Sequence, residues 1–311
     1  MKNKELISIV IPVYNGEKSI ASLVDDLITN LSKVYFLEIV LVNDCSPDNS
    51  ETVCISIYEK HKEIVKFFSL ANNVGEHNAV MAGLNQVTGD LTVIMDDDFQ
   101  NPVSEVQKLI DFAIKTQKDV VYTFYDKKEH SFFRNIGSKF NDKVATVLLK
   151  KPSNLYLSSF KIINKFLIKE IIKYDLPFPY IDGLILRTTN SIGKIKVNHQ
   201  KRVRGESNYT LKKLISLWLN MFTNFSVLPL RISMIIGFVF SLFGFGYGIF
   251  SVIEKLLHPN LPMGYTTIIV LVSVFSGIQL IALGMVGEYL GKMFMSQNKK
   301  PQYSIRKSFI K

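Results

Sequence analysis

Leu6-Ile7-Ser8-Ile9-Val10-Ile11-Pro12-Val13 is apolar and largely β-branched, broken only by Ser8 and Pro12. Such a run reads as a strand buried on both faces, the kind a parallel sheet needs. Immediately after it, residues 17–32 place Ile20, Leu23, Val24, Leu27, Ile28 and Leu31 on one helical face. The same alternation continues, with strands predicted over 38–43, 65–69, 91–95 and 119–123 and helices over 48–61, 78–86 and 102–116. Asp48 is placed to cap the second helix. Strands alternating with helices predict an α/β fold, an open and mainly parallel sheet wrapped by helices.

Ligands bind such sheets beyond the carboxyl ends of the strands. The polar clusters fall at those ends: Asn15-Gly16-Glu17, Asn43-Asp44-Cys45-Ser46, Asn72-Asn73-Val74-Gly75 and Asp96-Asp97-Asp98 follow the first four strands in turn. Loops are polar in general, but an Asp triplet directly after a buried strand needs more than solvation to explain it. Carboxylate and amide oxygens suit hard divalent cations, Mg2+ or Mn2+. On an extended segment Asp96, Asp98 and Gln100 would share a face. A cation there would bridge two phosphates and stabilise a departing diphosphate.

The C-terminal third is different. Residues 232–253 and 264–287 contain no charge, and each run exceeds the ~20 residues that cross a bilayer as a helix. The loop at 254–263 holds only Glu254, Lys255 and His258, whereas Lys212, Lys213 and Arg231 precede the pair and Lys292, Lys299, Lys300, Arg306, Lys307 and Lys311 follow it. The positive-inside rule places both termini and the first domain in the cytoplasm. The N-terminus opens polar and enters a strand at once, unlike a signal peptide. Cys45 and Cys54 suit neither a metal site nor a disulfide framework, and a cytoplasmic domain keeps them reduced.

The positive charge is concentrated. Segment 127–213 carries nineteen Lys/Arg against six Asp/Glu, while the whole chain is only +10. Beside apolar helices, a basic block points to a lipid bilayer or a phosphorylated lipid. Nucleic acid is excluded as a partner by the missing nucleic-acid motif and the apolar helices. Residues 135–149 and 208–225 have the amphipathic pattern of helices that lie on a membrane or pack on the main domain.

These residues resemble glycosyltransferase family 2, whose fold is the Rossmann-like GT-A sheet. The resemblance rests on Val10-Ile11-Pro12-Val13-Tyr14-Asn15, Asn43-Asp44-Cys45-Ser46, Asn73-Val74-Gly75 and Asp96-Asp97-Asp98-Phe99-Gln100-Asn101-Pro102. Arg202-Val203-Arg204-Gly205-Glu206-Ser207-Asn208-Tyr209, Asn224-Phe225-Ser226, Pro229-Leu230-Arg231 and Gly287-Glu288-Tyr289-Leu290-Gly291 are similar to the polyprenyl-phosphate branch, in its bacterial form with two C-terminal helices. The resemblance implies that Pro12, Tyr14, Asn15, Glu17 and Asp44 bind the nucleotide of a sugar donor. Asp96 and Asp97 join them, and Asp98, Gln100 and Asp96 hold the metal. Arg134, Ser138 and Arg202 grip the acceptor phosphate, as planar guanidinium forks do well. Asp96, Asp98, Arg134 and Arg202 are the catalytic set. Two departures stand out. Asn43 and Cys45 replace the first acid and the glycine of the family's Asp-Asp-Gly-Ser, and Ser158-Ser159-Phe160-Lys161 replaces a glycine-led strand beside the donor sugar.

The implied organisation is a cytoplasmic GT-A domain over 1–206, an amphipathic interfacial segment over 207–230, two transmembrane helices over 231–291 and a basic cytoplasmic tail over 292–311. The implied activity is inverting transfer of one sugar from a nucleotide sugar, UDP-linked as in the bacterial branch, to polyprenyl (undecaprenyl) phosphate. The expected setting is a multi-pass enzyme at the cytoplasmic face of the inner membrane, serving cell-envelope glycans such as lipopolysaccharide or O-antigen. A processive polysaccharide synthase is the alternative, disfavoured by only two helices and no Gln-x-x-Arg-Trp segment. A non-catalytic membrane scaffold is disfavoured by retention of Asp96, Asp98, Gln100, Arg134 and Arg202. Gly237, Gly244, Gly246 and Gly248 offer close-packing faces for a homo-oligomer.

Overall fold

The computed structural model describes residues 4–125, 146, 151–152, 155–198, 228–258 and 264–311. The chain forms two units, Met1–Tyr209 with Lys299–Lys311, and Thr210–Asn298. In the first, β1 (Leu6–Val13), α1 (Ile20–Leu31), β2 (Phe36–Asn43), α2 (Ser50–Lys60), β3 (Val65–Leu70), α3 (Glu76–Leu84), β4 (Leu91–Ile94), α4 (Val103–Thr116) and β5 (Val120–Phe124) alternate as the hydrophobic pattern predicts. Then come β6 (Lys161–Asn164), α5 (Lys165–Ile171), α6 (Ile181–Thr188) and β7 (Ile192–Lys196).

The sheet has eight strands in the order β7-β5-β6-β4-β1-β2-β3-β8, with β8 spanning Ile305–Phe309. β1 runs parallel to β2 and β4, β2 to β3, and β5 to β7. β6 is antiparallel to both β4 and β5. The central strands are buried on both faces, with Ile9, Val10, Ile11, Ile39, Leu41, Phe67 and Val93 shielded from solvent. Burial at about 1.5–3 kcal/mol per large apolar side chain makes this sheet the core of the unit. Pro12 lies beyond the last β1–β4 pair, Val10 with Ile94, so its missing N–H leaves no ladder bond to β4 unmade. Gly83 lets α3 lie close on β1: a Cβ there would stand 2.4 Å from Val10 Cγ1.

Within the basic stretch 292–311, where no strand was predicted, β8 pairs antiparallel with β3, Phe309 opposite Phe67 and Lys307 opposite Ser69. Charged side chains on an edge strand hide its pattern and also discourage edge-to-edge aggregation.

In the second unit, α7 (Leu228–Leu257) and α8 (Tyr265–Gln297) contain stretches, Leu230–Phe250 and Val274–Gln297, long and apolar enough to cross a membrane. Their large apolar side chains, Phe238, Phe243, Leu280 and Leu283 among them, are exposed. Within the pair, Phe240 meets Phe275 edge to face at 6.3 Å, and a Cβ on Gly244 would touch Phe275 at 3.6 Å. Gly237, Gly246 and Gly248 face open space.

Candidate functional site

The carboxyl ends of β1, β2, β3 and β4 meet, and their loops are tied by backbone-to-side-chain hydrogen bonds. Three non-glycine residues there have positive φ: Asn15 at 59°, Cys45 at 51° and Phe99 at 59°. Left-handed backbone at non-glycine positions is uncommon and gathers where function fixes a loop. Cys45 therefore holds the very conformation that the family's glycine would adopt without strain.

Each residue of the loops expected to take a nucleotide has a defined place. Tyr14 is exposed, and its N–H donates to Asp97 Oδ2 at 3.3 Å. Asn15 N–H donates to Ser46 Oγ at 3.3 Å, joining the first loop to the second. Glu17 accepts from Asn49 N–H at 3.1 Å, and its own N–H donates to Asp48 at 3.2 Å. Asp44 is buried, its two oxygens accepting Val74 N–H at 2.8 Å and Gly75 N–H at 2.9 Å. Asp44 thus grips the third loop. Burial pushes its carboxyl up, against the pull of those two donors.

The acid triplet diverges. Ser159 Oγ donates to Asp96 Oδ2 at 2.7 Å, tying Asp96 toward β6, while Asp97 turns toward the first loop. Asp98 Oδ1 accepts Gln100 N–H at 3.1 Å, an Asx turn. With Phe99 left-handed, residues 96–100 are not extended, so the shared face expected from strand alternation does not form. A turn, with its own hydrogen bond, has overridden the strand period.

Desolvation raises the carboxyls of Asp96 and Asp97 to about 7. The charges of Glu76 and Asp98 add to this for Asp96, those of Asp96 and Asp98 for Asp97. Among the described residues no three His, Cys, Asp or Glu side chains form a closed metal cage. The donor set still fits magnesium or manganese, which take one or two carboxylates and complete their shell with substrate phosphate.

Next to the triplet lies a polar layer that sequence reasoning did not assign. Lys161, opposite Ile94 in the β4–β6 pair, pairs with Asp182 on α6. Asp182 also accepts Tyr122 O–H at 2.8 Å, and the Lys161 ammonium lies 5.2 Å from the Tyr122 ring centre. His77 meets Tyr180 edge to face at 5.0 Å, and desolvation holds it down at about 4. The one signal in the sequence was Asp182 itself, an acid opening the apolar run Ile181–Ile185. Arg134, Ser138 and Arg202, and the segments 135–149 (146 apart) and 208–225, lie outside the described residues.

Comparison with known proteins agrees with this fold. The model described as "Glycosyl transferase family 2" matches residues 8–176, and one described as "GtrB C-terminal hairpin" matches residues 228–293. The undecaprenyl-phosphate 4-deoxy-4-formamido-L-arabinose transferase of Photorhabdus laumondii is 30% identical over 306 residues, covering 97% of this chain and 93% of the relative. Its counterpart in Edwardsiella ictaluri is 31% identical over 98% of this chain and 94% of the relative. Among solved structures, glucosyl-3-phosphoglycerate synthase from Mycobacterium tuberculosis with UDP superposes with a TM-score of 0.52 at 19% identity, over 70% of this chain and 79% of that one. The same enzyme with Mn2+ and UDP-glucose gives 0.51 at 19% identity, over 68% and 75%. These last two establish a shared GT-A fold.

Proposed function

We propose, because this chain belongs to glycosyl transferase family 2 and is a glycosyltransferase, that it moves one sugar from a nucleotide sugar to polyprenyl phosphate at the cytoplasmic membrane face, with inversion. The observation that carries the reading is the acid triplet at the end of β4, braced to the first loop through Asp97 and to Ser159 through Asp96. Similarity over nearly the whole chain to undecaprenyl-phosphate sugar transferases supports the lipid acceptor. UDP is the preferred nucleotide, and undecaprenyl phosphate the preferred lipid. The two helices anchor the enzyme in the inner membrane, with both termini inside by their flanking charge.

The family resemblance supports a division of labour. The loops carrying Pro12, Tyr14, Asn15, Glu17 and Asp44 take the nucleotide. Arg134, Ser138 and Arg202 take the lipid phosphate. A phosphate monoester has a second pKa near ~6, so its oxygen is already anionic and needs no strong general base. That oxygen forms the new bond to the anomeric carbon from the face opposite the nucleotide while the bond to the diphosphate breaks, which inverts the centre. Positioning and charge stabilisation then carry most of the rate. A divalent cation held at the acid triplet by one or two of Asp98, Gln100 and Asp96 would supply positive charge to the leaving diphosphate.

Mass spectrometry of undecaprenyl phosphate after incubation with a panel of nucleotide sugars tests the proposal. One added sugar per lipid is expected. A ladder of sugars would mean a processive synthase, and an unmodified lipid with every donor would overturn the reading.

A further inference from the structure

β8 does more than cover an edge. On strand alternation Lys307 and Phe309 share a face, and that face looks onto α2. Phe309 stacks on Phe67 and tilts against Tyr58, each at 5.6 Å. Lys307 pairs with Glu51 Oε1 in the first turn of α2 at 2.5 Å. From there a continuous relay runs inward. Ser69 Oγ donates to Glu51 Oε2 at 2.7 Å, and Asn43 Nδ2 donates to Ser69 Oγ at 3.3 Å. Ser46 N–H donates to Asn43 Oδ1 at 3.3 Å, and Ser46 Oγ accepts from Asn15 N–H at 3.3 Å. A second path reaches the third loop. Ala71 N–H donates to Ser304 C=O at 2.8 Å, and Arg306 Nη2 donates to Ala71 C=O at 3.4 Å. Three and four residues on, Asp44 grips that same loop at Val74 and Gly75.

We propose that the C-terminal segment Ser304–Phe309 is a positioning element of the donor half of the site, acting through Lys307, Glu51, Ser69 and Asn43 on the loops at Asn15 and Ser46. The inference rests on the reading that a nucleotide binds there. Both ends of the relay support a positioning role. Its outer end is a half-exposed ion pair, a kind of contact that adds little to stability. Its inner end is left-handed Asn15 and the loop beside left-handed Cys45, where the backbone needs outside support to hold its shape. In sequence the segment follows α8 after the short stretch 298–303, so the chain leaving the second apolar helix also fixes the nucleotide loops.

The test uses the full-length protein in lipid nanodiscs, with Lys307→Met, Lys307→Arg and Ser69→Ala. Calorimetry measures binding of UDP with magnesium, and steady-state assays give KM for donor and for undecaprenyl phosphate. Lys307→Met should weaken UDP binding and raise donor KM by about three- to fivefold, no more than a half-exposed ion pair can pass on. Acceptor KM and the thermal midpoint should stay at wild-type values, and Lys307→Arg should restore binding to within about twofold. Should Lys307→Met lower the melting temperature, Ser69→Ala decides, because it cuts the relay from β3 and leaves β8 intact. Wild-type UDP affinity in both Lys307→Met and Ser69→Ala, or an equal loss for donor and acceptor, would overturn this inference alone. A wild-type protein that binds no nucleoside diphosphate would overturn the functional reading and this inference with it.

Discussion

Asp97 and Gly16 are in contact range: a Cβ placed on Gly16 would stand 2.4 Å from Asp97 Oδ2, the oxygen that accepts the Tyr14 N–H. The first loop therefore closes on the acid triplet only because residue 16 has no side chain. Gly16→Ala should force the two apart at a cost of about 1–3 kcal/mol, typical of overpacking. Calorimetry with UDP should show weakened binding. Asp97→Asn keeps an acceptor oxygen for Tyr14 and should bind UDP better than Asp97→Ala. Wild-type affinity in Gly16→Ala would sink the view that this contact shapes the nucleotide loop.

Asp98 sits half-buried in an Asx turn just beyond β4 and is not itself part of the apolar core. Asp98→Ala should therefore fold with a near-native thermal midpoint yet lose roughly a hundred- to thousandfold in turnover. Excess chelator should do the same to the wild type, with activity returning on added magnesium or manganese. Full activity in chelator would remove the metal role.

The central sheet was legible because its strands are buried on both faces, which forces continuous apolar runs such as Leu6–Val13. Helices α1 and α4 were legible for the complementary reason: a strong 3.6-residue pattern set by one buried face. β8 was not, since an edge strand with Arg306 and Lys307 outward or toward α2 has no apolar run to show. In the site, the four loop clusters were placed correctly by the rule about strand ends. What failed was local geometry: an Asx turn at Asp98 and a left-handed Phe99 cannot be inferred from strand periodicity. The pairing of Lys161 with Asp182 joins residues far apart in sequence and had no local pattern to announce it.

His77 gives a pH signature. Its folded value of about 4 lies below the ordinary 6.5 because desolvation disfavours the charged ring, with Lys161 adding to that and Asp182 opposing it. The folded chain keeps the ring neutral where the unfolded chain protonates it. This stabilisation is complete above pH ~6.5 and is lost as pH falls toward ~4, on the order of 2–3 kcal/mol. Thermal unfolding in detergent from pH 7.5 to 4.5 should show a steep acid limb that His77→Gln makes shallower. An unchanged limb would mean that His77 is solvated enough to titrate normally.

Topology has its own test in intact cells. A cysteine at Asn260 should react with an impermeant thiol reagent added outside, and one at Ser304 should not. Native Cys45, partly exposed in the first unit, should stay shielded and serves as an internal control. Labelling at Ser304 and protection at Asn260 would reverse the orientation and separate the acid triplet from cytoplasmic nucleotide sugars.

Donor and acceptor recognition should separate by residue. Asp44 holds the third loop through two backbone donors, Val74 and Gly75, and is itself buried. Asp44→Ala leaves those N–H groups without their partner and frees the loop, so UDP affinity should fall while dependence on undecaprenyl phosphate is spared. Arg202 stands in the basic stretch between the sheet and the first apolar helix, Lys201-Arg202-Val203-Arg204, a place suited to a lipid phosphate. Arg202→Ala should remove one charge-assisted contact, raising acceptor KM by about ten- to a hundredfold, or roughly 1.5–3 kcal/mol. Arg202→Lys should recover only part of this, because it keeps the charge and loses the planar fork. Arg134→Ala should behave like Arg202→Ala, and neither should alter UDP binding with magnesium. Loss of nucleotide affinity in Arg202→Ala, with acceptor dependence intact, would show that the basic stretch serves the donor and that the two halves of the site are wrongly drawn.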